Sequence, residues 1–263
     1  MTAVAFAAFV AKEVRLQRRD PTALILLFFA PLLLIVFLSK ALAGGAQAAG
    51  GLPATAAFGA SEQASPYDAS VPGFTVMFAF FAGGFLAMGF FRERMWGTWP
   101  RVLALPLGRR LVMLGKAVPV IGIVVVQGLV LLFGGALVFG IPVSSPAMVL
   151  VATLLVGLTA SALGLVIVLV TRTDQQIQQL NNVIVLLMGA LGGAMAPLES
   201  MPQWAQDLAP AVPQYWAVNL IKGAMAGDAP LGTMAVDAGV LLLFAIGLCA
   251  VALPWLERNL SVR

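Results

Sequence analysis

The fold is decided by the longest charge-free stretch of the chain, residues 117–171, which reads AVPVIGIVVVQGLVLLFGGALVFGIPVSSPAMVLVATLLVGLTASALGLVIVLVT. A membrane core of about 30 Å is crossed by about 20 apolar residues in a helix, so this stretch is long enough for two spans. Gly140, Pro142 and the pair Ser145-Pro146 interrupt its middle and predict a tight turn there. We therefore interpret the stretch as two membrane helices joined by a short turn.

Four further charge-free stretches are each long enough for one span; they cover residues 21–39, 69–91, 175–198 and 238–256. Backbone groups in lipid must be satisfied within the segment, and the runs lack the strict alternation of barrel strands, so helices are expected. The sequence predicts an all-α integral membrane protein whose single transmembrane domain covers residues 1–263. Its six spans are expected near 22–40, 73–91, 111–138, 147–171, 178–197 and 236–256.

Composition supports a membrane protein and argues against several kinds of chemistry. The chain is 61% hydrophobic and 10% charged, whereas an average soluble domain is roughly 45–50% apolar and about 25% charged. It has no histidine and a single cysteine, Cys249, so imidazole catalysis, an intrachain disulfide and a cysteine metal cluster are all excluded. We expect no catalytic residue, no metal and no cofactor in this chain.

The basic residues predict the orientation. Segments 1–20, 92–116, 172–174 and 257–263 would share one side of the membrane, and they hold 13 of the 15 Lys and Arg residues. By the positive-inside rule that side is the cytoplasm, so both termini are predicted to be cytoplasmic. We attribute these basic patches to topology and to contact with anionic lipid, and we expect no nucleic acid partner.

Three segments outside the spans are predicted to be helical. Residues 1–20 are expected to contain an interfacial helix, although Glu13 and Gln17 fall within its apolar stripe. Residues 197–235 predict two short external helices, about 201–208 and 213–222, the second ending at Gly223.

The third segment, residues 92–110, carries a short cytoplasmic helix that begins after Thr98 and stops before Pro106. Trp96, Trp99 and Leu103 would share one face of it, with Arg94 and Arg101 opposite. Such a helix either rests on lipid by its tryptophans and presents its arginines to a protein partner, or is a simple interfacial belt.

Polar groups inside the predicted spans are few. We expect no charged residue in mid-span, which argues against a proton relay or an ion-selective pore. The amides of residues 175–182, at the start of the fifth span, would bond between helices or line a substrate path, and Asp174 would cap this helix. Gly108 to Lys116 lacks the spacing of a phosphate-binding loop, because six residues separate Gly108 from Gly115 and Ala117 stands where Ser or Thr would be needed.

Two motifs resemble the permease subunits of type-2 ATP-binding-cassette exporters. The first comprises Arg92-Glu93-Arg94, Gly97-Thr98, Arg101, Pro106 and Leu114-Gly115-Lys116, and Trp99 after Gly-Thr is most similar to the daunorubicin-resistance branch. The second comprises Pro197, Glu199, Met201-Pro202, Trp204 and Pro213. The six-helix layout extends this resemblance over nearly the whole chain.

The resemblance implies the partners. Such a permease works as a dimer, expected here to be a homodimer, with two copies of a cytoplasmic ATPase subunit that bind ATP and Mg²⁺. The short helix within residues 93–106 would be the coupling helix seated in the ATPase. The coupling residues implied are Glu93, Arg94, Gly97, Thr98, Arg101 and Pro106.

The resemblance also implies a path between two protomers, lined by the second and fifth spans and closed outside by the short helices. The path residues would be Phe74, Met77, Phe78, Phe81, Asn181, Asn182, Val185 and Met188. The external gate would comprise Pro197, Glu199, Pro202, Trp204, Pro213 and Tyr215. For any single path residue, ordinary helix packing or lipid contact is the alternative role.

The expected function is export of hydrophobic or amphipathic molecules, such as a drug, an antibiotic or a lipid, across a bacterial cytoplasmic membrane. Aromatic and methionine surfaces suit such cargo. Polysaccharide export by the same superfamily is the alternative, although these spans offer few polar surfaces for sugars. An intramembrane lipid-modifying enzyme would need clustered acids or histidines, and a passive scaffold or channel component would have no ATPase companion.

Overall fold

The computed structural model describes residues 2–19, 25, 27–37, 66–104, 107–196, 198–227 and 229–259. Within these ranges every regular element is a helix and no strand occurs. The all-helical class predicted from the charge-free stretches is therefore confirmed.

The first half of the chain forms one helix along the edge of the bundle, the described part of the first predicted span, and two long helices joined by a short one. Their bounds are α1 Thr2–Arg18, α2 Leu27–Phe37, α3 Pro66–Met95, α4 Trp99–Leu103 and α5 Arg109–Phe139. α3 begins before the residue 73 predicted from hydropathy.

The turn predicted at residues 140–146 is confirmed. Gly140 ends α5 in the left-handed conformation, with φ at 70°, which glycine adopts without the strain of a side chain. Ser145 then caps α6, Pro146–Val170, by accepting a hydrogen bond from the backbone N–H of Met148, and Pro146 occupies the first helical position. The longest charge-free stretch is thus a helical hairpin.

The second half continues with α7 Asp174–Leu191, α8 Gln203–Leu208, α9 Pro213–Ala226 and α10 Leu231–Asn259, with 3-10 turns at Leu198–Ser200 and Ala209–Ala211. Two predicted helix ends were wrong. Thr173, not Asp174, caps α7, because its side chain accepts from the N–H of Gln176. α9 runs past Gly223 to Gly227, whose φ of 75° supplies the left-handed cap.

Four of the described helices are long and apolar enough to cross a membrane: Ser70–Glu93, Arg110–Phe139, Pro146–Val170 and Leu231–Trp255. They correspond to the second, third, fourth and sixth predicted spans. The first predicted span is described only over Leu27–Phe37. The fifth is helical but begins with polar amides and ends at Leu191, six residues before the expected boundary.

α6 lies at the centre of the bundle and packs against α3, α5, α9 and α10. Small residues allow the helices to approach closely: a Cβ at Gly83 of α3 would overlap the carbonyl of Ala160 in α6. Gly128 of α5 likewise receives the Thr153 methyl group, since a Cβ there would lie 2.5 Å from it. In lipid, the hydrophobic effect does not drive helices together, and close packing of small side chains allows them to associate instead.

Candidate functional site

Four charged side chains from three helices meet at the end of the bundle where α3 finishes and α5 begins. Lys12 Nζ lies 2.9 Å from Glu13 Oε1 and 2.8 Å from Glu93 Oε1. Lys116 Nζ lies 2.9 Å from Glu93 Oε2 and 3.4 Å from Glu13 Oε1. We call Lys12, Glu13, Glu93 and Lys116 the ion cluster; it joins α1, α3 and α5.

The ion cluster is largely withdrawn from solvent on the α3 and α5 sides. The side chains of Lys116 and Glu93 are only 2% and 7% exposed, whereas that of Lys12 is 44% exposed. Burial alone would lower the pKa of Lys12, but its hydrogen bonds to Glu93 and Glu13 and their charges outweigh this, so its pKa is raised. Lys12 therefore stays charged and closes the cluster from outside.

The cluster explains why Glu13 interrupts the apolar stripe of α1, since this stripe faces protein and Glu13 meets Lys116 there. Gly115, beside Lys116, lets α1 approach: a Cβ at residue 115 would lie 2.5 Å from Phe9 Cδ1. Lys12 also lies over the Phe9 ring, 5.2 Å from its centre. The Gly115-Lys116 motif thus packs against α1, with Gly115 next to Phe9 and Lys116 paired with Glu13.

The short helix α4 is fastened to Glu93 through the main chain. The Thr98 N–H and hydroxyl both donate to the Glu93 carbonyl oxygen, at 3.1 Å and 3.3 Å. Gly97 makes the intervening turn with φ at 64°, a conformation that a β-carbon would strain. Glu93 therefore holds α4 with its carbonyl and α1 and α5 with its carboxylate.

One face of α4 is packed on the bundle and the other is open. Trp99 and Val102 are each 6% exposed, whereas Pro100 and Arg101 are exposed. The expectation that Trp96 and Trp99 share a lipid-resting face was wrong, because Trp99 packs into the core while Trp96, in the turn before the helix, is 65% exposed. The arginine side presented outward agrees with the expectation for Arg101.

Of the coupling residues nominated from sequence, the structure thus brings Glu93, Gly97, Thr98 and Arg101 into one unit. The side chain of Arg94 and the whole of Pro106 lie outside the described residues. Sequence reasoning missed Lys12 and Glu13 as partners of this unit. The signal was present, since a glutamate within an apolar helix stripe requires a buried cation nearby.

An apolar groove of about 700 Å³ runs along α2, α3 and α7. Phe78, Phe81 and Asn182, all nominated as path residues, line it together with Phe85 and Leu27. Phe78 and Phe81 pack with their ring centres 5.9 Å apart. Phe85 extends the same stripe of α3 by one further turn, but sequence analysis stopped the stripe at Phe81.

Asn181 bridges α7 and α3 beside this groove. Its Nδ2 donates to the Phe81 carbonyl at 3.3 Å, and among the described residues its Oδ1 has no hydrogen-bond partner. Gly84 makes room for the amide, because a Cβ there would come within 2.7 Å of Asn181 Cγ. A smaller cavity of about 260 Å³ lies between these residues, Phe85 and Gln178.

The remaining path residues do not reach the groove. Phe74, Met77 and Val185 are buried inside the chain, and Met188 is half-buried. Their burial matches the alternative role in helix packing.

The proposed gate residues differ in burial. Glu199, Pro202 and Trp204 are exposed, whereas Pro213 is buried and Tyr215 half-buried. Pro197 lies outside the described residues. Tyr215 meets Trp216 edge-on at 5.1 Å, and Trp216 Nε1 donates to the Pro210 carbonyl at 2.9 Å. This half of the set is built into the start of α9, and the other half faces outward.

α9 is anchored at both ends. Near its start, Gln214 is fully buried and its Nε2 donates to the Val185 carbonyl of α7 at 3.2 Å. At its end, the Ser144 N–H donates to the Met225 carbonyl at 2.9 Å and its hydroxyl donates to the Ala226 carbonyl at 2.7 Å. The α5–α6 turn is thereby bonded to α9.

In the described part of the chain, no group of three or more His, Cys, Asp or Glu side chains is placed to hold a metal ion. The arrangement consists of the ion cluster, the short helix α4 with its exposed face, and apolar cavities. These features suit movement and binding of an apolar ligand.

Comparison with known proteins identifies relatives over most of the chain. The family described as ABC-2 type transporter matches residues 4–226. The chain is 28% identical over 183 residues to the linearmycin resistance permease protein LnrN of Bacillus subtilis, a match that covers 70% of this chain. It is 32% identical over 143 residues to the probable multidrug ABC transporter permease YbhR of Escherichia coli K12, a match that covers 53% of this chain.

The matches cover 48% of LnrN and 38% of YbhR, so the chain spans about half or less of the length of the curated relatives it matches. The family match contains the ion cluster, α4 and the groove.

Proposed function

The chain belongs to the ABC-2 type transporter family of multi-pass membrane proteins, and we propose that it is the transmembrane subunit of an ATP-driven exporter. Its cargo would be hydrophobic or amphipathic molecules such as drugs, antibiotics or lipids, taken from the cytoplasm or the inner leaflet. The similarity to LnrN, named as a resistance permease, and to YbhR, named as a probable multidrug permease, supports this cargo class. A separate ATPase subunit, carrying ATP and Mg²⁺, would supply the energy.

We further propose the membrane arrangement expected from the sequence. Six spans cross a bacterial cytoplasmic membrane: the four long apolar helices, α7, and the first predicted span, of which α2 is the described part. Both termini, α1 and α4 lie on the cytoplasmic side, and α8 and α9 lie outside. The 13 basic residues on one side support this orientation.

The observation that carries the proposal is the double role of Glu93. Its carbonyl bonds α4, whose open face carries Arg101, and its carboxylate bonds α1 and α5 through the ion cluster. A push on α4 by a nucleotide-driven ATPase would therefore reach three helices through one residue. We assign α4 as the coupling helix on this basis, with Arg94 and Pro106 as further members of the surface.

We propose that the cargo path follows the α3–α7 face and is completed by a second protomer. Phe78, Phe81 and Asn182 would line it directly, with Asn181 beside them. Phe74, Met77, Val185 and Met188 would support this wall from behind. The external gate would be the segment from Pro197 to Tyr215, whose exposed part includes Glu199, Pro202 and Trp204 and whose anchored part begins at Pro213.

The test is coupled transport in proteoliposomes that contain this chain and its ATPase. Arg101→Glu should abolish cargo-stimulated ATP hydrolysis and export while the protein remains folded. Arg172→Glu is the matched control, because Arg172 is an exposed arginine on the same proposed side but outside α4. If Arg101→Glu combined with Glu93→Gln left export intact, the coupling assignment would be wrong.

A further inference from the structure

A second cavity, of about 330 Å³, lies between α1, α2, α3, α5 and α7, and its wall includes Glu13, Glu93 and Lys116 of the ion cluster. We call it the charged cavity. Its polar wall includes Arg92, Asp174 and Gln178, and its apolar wall includes Leu27, Phe85 and Ile123. Of the residues given a coupling or path role above, Glu93 lines this space.

The polarity of the charged cavity is divided along the helix axes. Lys116 and Ile123 both line it, and Ile123 lies seven positions after Lys116 on α5, which corresponds to about 10 Å along a helix. Arg92 likewise lies seven positions after Phe85 on α3. The cavity is therefore charged at the end of the bundle and apolar about 10 Å deeper, which is the polarity of an amphiphile.

Most charges in the wall are already engaged. Glu13, Glu93 and Lys116 neutralise one another and Lys12 within the ion cluster. Two charges of the wall, Arg92 and Asp174, make no ion pair within the described part of the chain. Of these, Arg92 is the cation, and its guanidinium lies 6.0 Å from the centre of the Trp96 ring. A planar guanidinium held against an aromatic ring is suited to bind a phosphate or carboxylate with two hydrogen bonds.

The deep end of the charged cavity adjoins the proposed path. Phe85 lines the charged cavity, the apolar groove and the small cavity at Asn181. Asn181, whose buried Oδ1 has no partner among the described residues, is also a lining residue of the small cavity. Phe85 thus borders three spaces that together extend from the charged end of the bundle to the α3–α7 face.

We propose that the charged cavity binds amphiphiles that carry an anionic head group, before they pass Phe85 into the groove. Arg92 holds the head group, and Leu27, Phe85 and Ile123 contact the apolar part. The proposal rests on the proposed function, because it describes where exported cargo first binds. It names the cargo more narrowly as anionic amphiphiles that reach the site from the inner leaflet.

Binding is tested on the purified full chain, without ATPase, by protection of an introduced cysteine. In a Cys249→Ala background, Gly89→Cys places the thiol in the charged cavity, and Gly122→Cys is the matched control on α5. A Cβ at either glycine would meet nothing within 4 Å, so neither change should disturb packing. The rate of maleimide labelling is measured with dodecyl phosphate, with dodecyl maltoside and with inorganic phosphate.

We expect dodecyl phosphate to slow labelling of the Gly89→Cys variant about tenfold or more and to leave the Gly122→Cys variant unchanged. Arg92→Gln should weaken that protection about tenfold, the scale of losing a hydrogen bond to a charged group, and Arg92→Lys should weaken it less. Equal protection by the uncharged maltoside, by inorganic phosphate alone, or at both cysteines would overturn the proposal. Protection without export in proteoliposomes would contradict the proposed function and leave this binding site standing.

Discussion

The carboxylate of Glu93 and the ammonium of Lys116 form an ion pair, 2.9 Å between Oε2 and Nζ, in which both side chains are almost fully withdrawn from solvent. A buried pair of this kind gains little over a well-packed apolar pair, yet the loss of one partner is costly because an unpaired charge remains. The pair joins the end of α3 to the start of α5, so its loss should lower both the stability of the protein and the coupling of α4 to the bundle.

Lys116→Met should destabilise the protein by about 3–5 kcal/mol, since it leaves Glu93 and Glu13 with only Lys12. Lys12→Met, which removes a half-exposed partner of the same acids, should cost about 1 kcal/mol or less. Denaturant unfolding in detergent measures both. The double variant Lys116→Met with Glu93→Gln should recover part of the loss, and strict additivity of the two changes would contradict a direct pair.

Gly115→Ala should loosen α1 from the bundle, because its new Cβ would press on Phe9. Alanine is a better helix former than glycine by about 1 kcal/mol, so Gly122→Ala, where the Cβ meets open space, should be stabilising instead. Tryptic cleavage at Lys12 and Arg15 reports release of α1. Faster cleavage should be confined to Gly115→Ala and should be reduced when Phe9→Leu is added. Equal cleavage of both glycine variants would contradict the packing of Gly115 against α1.

Trp99→Ala should detach α4 from the bundle and cost about 3–5 kcal/mol, as expected for deletion of a buried aromatic side chain. Trp96→Ala is the matched control, because it is the same substitution at an exposed ring, and it should leave stability nearly unchanged. Thermal unfolding and retention of the ATPase on a purification column are the two measurements. Loss of ATPase retention by Trp99→Ala alone would support α4 as the docking helix, and intact retention would argue against it.

Gly84→Ala should displace the Asn181 amide from the Phe81 carbonyl and slow export, because the added methyl group would occupy the amide's position. Asn181→Ala in the same chain should restore space and recover part of the rate. Initial rates of export in proteoliposomes provide the readout. If the double variant is no faster than Gly84→Ala, the two residues do not act through one contact.

Lys222 should make stability depend on pH in the alkaline range. Burial lowers the pKa of Lys222, which the charge of Glu199 only partly offsets, so the folded state releases this proton before the unfolded chain does. The penalty of burying the charge is present at neutral pH and is relieved as pH rises through the folded pKa toward the unfolded value of about 10.4.

Lys222→Met should therefore be more stable than the parent at about pH 7, and this advantage should shrink at about pH 10. Melting temperatures in detergent at the two pH values measure it. Lys12→Met serves as the control of opposite sign, because the raised pKa of Lys12 means that its charge contributes stability at neutral pH. An advantage of Lys222→Met that is independent of pH would show that packing, not charge, is responsible.

The helical hairpin and the four long spans were predictable because they depend on local features: an uncharged run, a Gly-Pro-Ser interruption and a cap at Ser145. Sequence analysis located Glu93 and Lys116 as motif residues but not as partners, since a contact between distant helices has no local signature. Glu13 indicated such a contact, because a glutamate in the apolar stripe of α1 requires a buried cation nearby, but its position was interpreted only as an imperfection of the stripe.

Other misplacements have similar physical reasons. Trp96 and Trp99 differ in burial because Gly97 turns the chain between them, so the two rings cannot share the face that helical periodicity assigned. Phe74 is buried and Phe78 only half-buried, because neighbouring helices cover the first more completely. Hydropathy does not distinguish a protein neighbour from a lipid neighbour.

The bonding of Ser144 to the end of α9 has a consequence for inhibition. α9 packs on α3, α6, α7 and α10 and is tied to the α5–α6 turn, so it touches most of the described bundle from one end. Most of this helix is buried, and in the proposed orientation its exposed end, at Ala226 and Gly227, faces the aqueous exterior. An antibody fragment that immobilised it would arrest the transporter without having to enter the cell.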